Sequence, residues 1–201
     1  MAEELLVPKQ DYLSAGIHIG MKSRTADMKK FIYKIREDGL AVLDLKMLDE
    51  RIATAAKFLF GMKKILVVGR KLNSHTPIKK FCEIVGCDSI TGRFMPGTLT
   101  NPSYKQFVEP DVVLLADPLS DYQALKEAVN SRIPVVALCD TFNETRNIDF
   151  IIPCNNKGKK SLALIYWLLA REIQKNRGEK EFKYKIEDFM GPETEDEEKN
   201  F

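Results

Sequence analysis

Three continuous apolar runs constrain this chain more than any other feature. They are Ile65-Leu66-Val67-Val68, Val112-Val113-Leu114-Leu115-Ala116 and Pro134-Val135-Val136-Ala137-Leu138. A strand with one wet face alternates apolar and polar residues. A continuous run marks a strand buried on both faces, which is the signature of a parallel sheet covered by helices. Helical spacing fills the intervals. A helix is predicted over 76–85, with Pro77 in its first turn. Tyr122, Leu125, Ala128 and Val129 mark another, and a last one runs over 159–176 and ends near Gly178. Phe150-Ile151-Ile152 reads as a fourth buried strand, cut off by Pro153, and Ser89-Ile90-Thr91 as a short one. Upstream, residues 31–35 and 40–43 read as short strands around the turn Glu37-Asp38-Gly39. Asp44 can then cap a helix carrying Leu45, Leu48, Ile52, Ala55, Ala56 and Leu59, with Gly61 as its stop.

Strand and helix alternate, so the fold class is α/β: three layers, with a mainly parallel sheet flanked by helices. Ligands of such folds sit beyond the carboxyl ends of the strands. The segments there are 69–77, 117–121, 140–146 and 153–160. Two stretches do not fit the alternation: the polar, basic residues 9–30 and the long loop 92–110, a length that is usually functional. We therefore expect a basic extension at 1–30, one α/β domain at 31–178 and an acidic, mobile tail at 179–201. Both odd stretches are expected to be poorly ordered without a partner.

The formal charge of the 201 residues is only +2, which taken alone argues against a strongly basic nucleic-acid binder. Its distribution reverses that inference. Residues 179–201 carry nine acids and four bases, a net of −5, so the remainder stands at +7. The bases cluster. Lys22, Arg24, Lys29, Lys30, Lys34 and Arg36 form one set, Lys63, Lys64, Arg70, Lys71, Lys79 and Lys80 a second, and Lys157, Lys159 and Lys160 a third. Bases in loops and at helix starts suit a phosphate backbone. They also suit a merely solvated face. Phe31, Tyr33 and Phe94 are candidates for stacking on unpaired bases, unless the first two alternate in and out of a strand.

Catalytic chemistry finds less support. No G-x-G-x-x-G follows a strand, and Asn155-Asn156-Lys157-Gly158-Lys159-Lys160-Ser161 lacks the first Gly and the Ser/Thr of a phosphate loop. That segment still opens a helix, whose N–H groups and dipole favour an anion. It reads as a phosphate contact or as a solvated basic helix start. His18 and His75 are the only imidazole bases, and neither sits in a nucleophile elbow. Asp117, Asp140 and Asp149 lie at or next to strand ends, where carboxylates could bind a metal, and Asp117 and Asp140 more readily suit caps and turns. Cys82, Cys87, Cys139 and Cys154 include no C-x-x-C pair. Cys82, Cys87 and His75 match no common zinc spacing, and the cysteines read as reduced, buried thiols of a cytosolic protein. No reaction class, metal or cofactor emerges. The amino terminus has no basic start or long apolar run, so no secretory signal is expected. The longest apolar run, 162–170, is far short of the ~20 residues of a membrane span.

Several motifs occur together and in order. They are Gly16-Ile17-His18-Ile19-Gly20, Val68-Gly69-Arg70-Lys71 and Gly92-Arg93-Phe94-Met95-Pro96-Gly97-Thr98-Leu99-Thr100-Asn101-Pro102. Ile133-Pro134-Val135-Val136-Ala137-Leu138-Cys139-Asp140-Thr141 and Ile148-Asp149-Phe150-Ile151-Ile152-Pro153-Cys154-Asn155-Asn156 follow. Together they resemble the universal small-subunit ribosomal protein S two family over about residues 10–177. The resemblance implies a flavodoxin-like sheet and a structural, non-enzymatic role in the cytoplasm. It implies binding to small-subunit ribosomal RNA and neighbouring ribosomal proteins in assembly and translation. Bacterial members carry a coiled-coil insertion after the Gly97-to-Asn101 motif. Here residues 101–110 lead almost directly to the Val112 strand, and the short tail fits an archaeal rather than an animal form. On that reading the phosphate contacts are Lys22, Arg24, Lys29, Lys30, Arg70, Lys71, Arg93, Lys157, Lys159 and Lys160. Ser23, Thr98 and Asn101 would donate to sugar or phosphate. The first rival is a phosphometabolite-binding enzyme using the 69–77 turn, with Ser74 and Thr76 as donors. The second is a protein-interaction module using the acidic tail.

Overall fold

The computed structural model describes residues 5–179 and 182–191. Its frame is a five-stranded parallel sheet of β3 (Ile65–Gly69), β4 (Asp88–Thr91), β5 (Val112–Leu115), β6 (Val135–Cys139) and β7 (Phe150–Pro153). The spatial order is β4-β3-β5-β6-β7. Numbered within the sheet this is 2-1-3-4-5, the flavodoxin-like order. An antiparallel hairpin, β1 (Ile32–Ile35) with β2 (Ala41–Leu43), stands apart from it.

Each central strand sends alternate residues into two separate cores. Val67, Leu114, Val136 and Leu138 enter the first, against α2 (Leu45–Phe60), α3 (Leu72–Val85) and α5 (Lys159–Asn176). Here the periodicity reading holds closely. Asp44 caps α2 by accepting from the Lys46 N–H at 2.9 Å, and Leu48, Ile52, Ala55, Ala56 and Leu59 form its buried stripe. Helix α3 begins a turn earlier than predicted, so Pro77 lies in its interior rather than its first turn.

Leu66, Val68, Val113, Leu115, Val135 and Ala137 enter the second core. Helix α4 (Tyr122–Asn130) covers it through Ala124, Leu125 and Ala128. The rest of the cover comes from Leu43 of β2 and from residues in or next to the two stretches that broke the alternation. Met28 and Phe31 arrive from the amino-terminal segment and Phe94 and Leu99 from the long loop, all buried.

Residues 1–30 were expected to form a basic extension and 92–110 a long loop, and the described parts of both pack onto the sheet. Residues 9–15 form a helix, α1 (Lys9–Ala15), whose Tyr12 is fully buried. The Tyr12 hydroxyl donates to the Asp49 carboxylate on α2, which also accepts the Leu6 N–H at 3.1 Å. Burial and that hydrogen bond push the Tyr12 hydroxyl far above its ordinary value. Residue 20 must be glycine for the chain to pass Thr141, since a Cβ there would overlap the Thr141 methyl group.

The loop is anchored on α4 and the residue that ends it, where Ser131 Oγ donates to the Leu99 carbonyl at 3.0 Å. Glu127 of α4, buried, accepts from Gly97 N–H (2.8 Å), Leu99 N–H (3.1 Å) and Gln123 Nε2 (2.7 Å). Part of the acidic tail is also docked. Trp167 Nε1 donates to the Tyr184 carbonyl (2.8 Å), Phe182 packs edge-on against Trp167, and Phe189 of α6 (Glu187–Met190) is fully buried. The acids at 193–198 lie outside the described residues.

Candidate nucleic-acid interface

Parallel strands deliver their carboxyl ends to one edge of the domain, and register decides which loops meet there. Gly69 pairs with Thr91, so Arg70 and Arg93 emerge side by side. Cys139 pairs with Pro153, which sets the loop after β6 beside the one that opens α5. Strand order reverses between β3 and β5, and that crevice is where a flavodoxin-like fold holds a ligand.

In this protein the crevice is filled by its own side chains. Lys71 Nζ lies 2.6 Å from Asp117 Oδ2. Asp117 also accepts from Ser120 Oγ (2.8 Å), Asn143 Nδ2 (3.0 Å) and the Leu119 N–H (3.2 Å). Asp117 therefore serves the turn that its place ahead of Pro118 suggested, not a helix cap. Asn156 Nδ2 links the Leu138 carbonyl (3.0 Å) to Asn143 Oδ1 (3.1 Å). Asp121 accepts the Arg70 N–H (2.9 Å) and the Asp117 N–H (3.2 Å), stitching one side of the switch point to the other.

The two carboxylates part in their acidity. Burial works to raise Asp117, but the Lys71 ammonium, Ser120 and the Leu119 N–H outweigh it and hold it below the usual range. Burial dominates at Asp121, whose two N–H donors only partly compensate, and pushes it up to about 7. These are structural groups that cement four loops together. The phosphometabolite reading needed this turn open, with Ser74 and Thr76 as donors. Ser74 is buried and donates to the Lys71 carbonyl at 2.6 Å.

The cations surround the plugged crevice. Arg70 and Arg93, both exposed, line a shallow cavity with Phe94, Pro96, Ser120 and Gln123. Lys157 sits across the edge, its Nζ 4.2 Å from the Phe142 ring. Its carbonyl accepts from Asn73 Nδ2 at the start of α3 (3.0 Å). The amino-terminal segment completes the rim. Met21 N–H donates to Thr141 Oγ1 (2.9 Å), Thr25 N–H to the Thr141 carbonyl (2.9 Å) and Thr25 Oγ1 to the Asn143 carbonyl (2.9 Å). Lys22, Ser23 and Arg24 are thereby pinned along the β6–β7 loop with their side chains exposed.

Other candidates lie elsewhere. Lys71 is engaged by Asp117 as described. Thr98 is only 2 % exposed and its hydroxyl is spent on the Met95 carbonyl (2.6 Å), so it is turned away from any ligand. Asn101 is exposed, and its Oδ1 accepts from the Ser103 N–H. Lys29 and Lys30 are exposed at the hairpin, Lys30 Nζ standing 5.0 Å from the Phe31 ring. Lys160 borders a separate groove with Asp11 and Glu187, and Lys159 opens α5 beside it. The N–H groups leading into α5 are less open to an anion than expected, because Asn155 Oδ1 accepts from Lys157 and Gly158 (3.0 and 3.2 Å).

The second basic set divides. Lys63 and Lys64 precede β3 and Arg70 and Lys71 follow it, about 20 Å or more apart at the usual rise per residue. Of the three aromatic candidates, Tyr33 is 72 % exposed, while Phe31 and Phe94 are buried at 1 % and 7 %. The cysteine–histidine set does not assemble, since His75 bonds the Arg70 carbonyl near the start of α3 and Cys82 and Cys87 sit at its far end. Sequence reasoning missed Arg146 and Phe142, which line a groove with Tyr122 and Leu119 at the same edge. Their position in the loop after β6 was the available signal.

The pattern of the ribosomal protein S2 family matches residues 12–107 and 104–176. The chain belongs to the ribosomal protein S2 family. It is 51 % identical over 195 residues to the small ribosomal subunit protein uS2 of Thermoplasma acidophilum, covering 94 % of this chain and 98 % of that one. It is 56 % identical over 177 residues to that of Staphylothermus marinus, covering 87 % and 80 %. It is 52 % identical over 192 residues to that of Methanococcus maripaludis, covering 94 % and 87 %. The S2-family relatives are archaeal, in keeping with the short 101–110 connection. Among the described residues no helix is long and apolar enough to cross a membrane.

Proposed function

We propose that this protein is a structural component of the small ribosomal subunit that binds ribosomal RNA through the carboxyl edge of its sheet and takes part in translation in the cytoplasm. The observation that carries this reading is the identity of 51 to 56 % to small ribosomal subunit proteins along most of both chains. The geometry supplies a physical rationale. Arg24, Arg70, Arg93, Arg146 and Lys157 rim an edge whose ligand crevice is closed by Lys71 and Asp117. A cation-rimmed surface whose central crevice is plugged suits a phosphate backbone better than a small metabolite. Lys22, Lys29 and Lys30 extend it toward the hairpin, where exposed Tyr33 offers a stacking face for an unpaired base. Neighbouring ribosomal proteins are its further partners. No observation favours the enzyme reading.

The test is the salt dependence of affinity for small-subunit ribosomal RNA. Log affinity falls by roughly 0.7 to 0.9 per phosphate neutralised for each log unit of salt. Replacing Arg70 and Arg93 together by Ala is expected to make the slope shallower by about 1.4 to 1.8. An unchanged slope would remove this edge from the interface, and a flat wild-type slope would remove the RNA reading.

A further inference from the structure

Helix α3 ends in a way that brings two thiols together. Gly86 adopts φ +77°, the left-handed conformation that closes a helix, and its N–H bonds the Cys82 carbonyl at 2.8 Å. The next N–H, of Cys87, returns to the same carbonyl at 3.1 Å. This doubled return folds the chain back over its last turn. It leaves the Cys87 and Cys82 sulfurs 2.9 Å apart, with Cys87 donating to Cys82 and Cys82 facing the Asp88 carbonyl at 3.5 Å. Both cysteines are free, with Cys87 half-buried and Cys82 buried behind it. The other two, Cys139 and Cys154, are fully buried in the sheet region.

We propose that Cys82 and Cys87 form a reversible modification site, closing to an intramolecular disulfide by exchange with a small disulfide of the glutathione type. The more exposed Cys87 loses its proton and attacks one sulfur of the small disulfide. A mixed disulfide forms and one small thiol leaves. Cys82, already in contact, then loses its proton and attacks the Cys87 sulfur, expelling the second small thiol. The protein gives up two electrons and two protons, and the small disulfide becomes two thiols. The two sulfurs would close from 2.9 Å to the ~2.05 Å of the bond. The hydrogen bond to Cys82 and burial push the Cys87 thiol up, so the first attack is slow and proximity drives the second. The bond would fasten the end of α3 to the entry of edge strand β4, at the opposite end of the sheet from the cation-rimmed edge. RNA affinity should therefore be indifferent to it.

The full-length protein is incubated, folded, with oxidised glutathione, then alkylated and mapped by mass spectrometry. Two of the four thiols should disappear. The tryptic peptide spanning 81–93 should lose the mass of two hydrogens and split only after reduction when cut at Glu83. Cys82→Ser should hold a stable glutathione adduct on Cys87, and Cys87→Ser should react at neither position. A wild-type protein that keeps four thiols, or that accumulates a lasting adduct on Cys87 beside a free Cys82, overturns the proposal. The wild-type arm decides the matter even where a variant does not fold.

Discussion

The two faces of the sheet are built by different means. Three amphipathic helices cover one, each announced by its own spacing of apolar residues. The other is covered by α4 and by mostly irregular chain, with Met28, Phe31 at the end of a 3-10 turn, Phe94 and Leu99 standing where longer helices would be. Helices satisfy their own backbone groups. An irregular cover must find partners for its N–H groups elsewhere, and here Glu127 and Thr141 serve. The lesson is that a loop can be as much a part of the core as a helix. It then delivers its exposed residues, Arg24 and Arg93 among them, to a defined place.

If the loop-built face is as tightly packed as the helical one, truncating a buried ring on either should cost the same. Phe31→Ala and Phe81→Ala are each expected to lower stability by about 3 to 5 kcal/mol in chemical denaturation. A cost below about 1 kcal/mol at Phe31 alone would show that face to be loose. Glu127→Ala strikes the same face through its polar anchor. It strands two N–H groups and should cost about 2 to 4 kcal/mol, lowering the melting temperature by roughly 4 to 16 °C. RNA affinity should fall with it, because Arg93 loses its support. On the helical face the corresponding polar device is the Asp44 cap, where Asp44→Ala should cost about 1 kcal/mol and leave RNA binding unchanged.

The carboxylates between the loops give the smallest and most specific signal. Asp121, raised to about 7, favours its protonated form when folded. Its contribution to stability is present below its unfolded value and is lost as pH rises through about 7. Asp117, held low, contributes above its unfolded value and loses that contribution as pH falls. Carboxyl carbon shifts should show Asp121 titrating near 7 and Asp117 titrating below the usual carboxylate range. The reverse order would mean that Lys71 pairs with the other acid.

The contrast between the faces also decides what could be read from the chain. The continuous runs at Ile65, Val112 and Val135 mark strands whatever surrounds them, and the stripe from Leu45 to Leu59 marks α2. Met28, Phe94 and Leu99 follow no period, so their burial is invisible until the sheet they cover is in place, whereas the alternation of buried Phe31 with exposed Tyr33 is legible. Charge counting shares this limit. Lys71 counts as a phosphate ligand until Asp117, 46 residues on, is brought to 2.6 Å. Thr98 counts as a donor until Met95 takes its hydroxyl. Family motifs located the loops of the proposed interface, and only the folded contacts, local and long-range, sorted which side chains within them face outward.

The account rests on a loop-built face that is ordered before any RNA arrives, and amide hydrogen exchange on the free protein addresses that directly. The N–H groups of Gly97, Leu99, Met21 and Thr25 should be protected alongside those of β5. Exchange at the rate of an unstructured peptide in residues 20–28 and 92–101, with β5 still protected, would contradict the account and make both segments partners of the RNA rather than of the sheet.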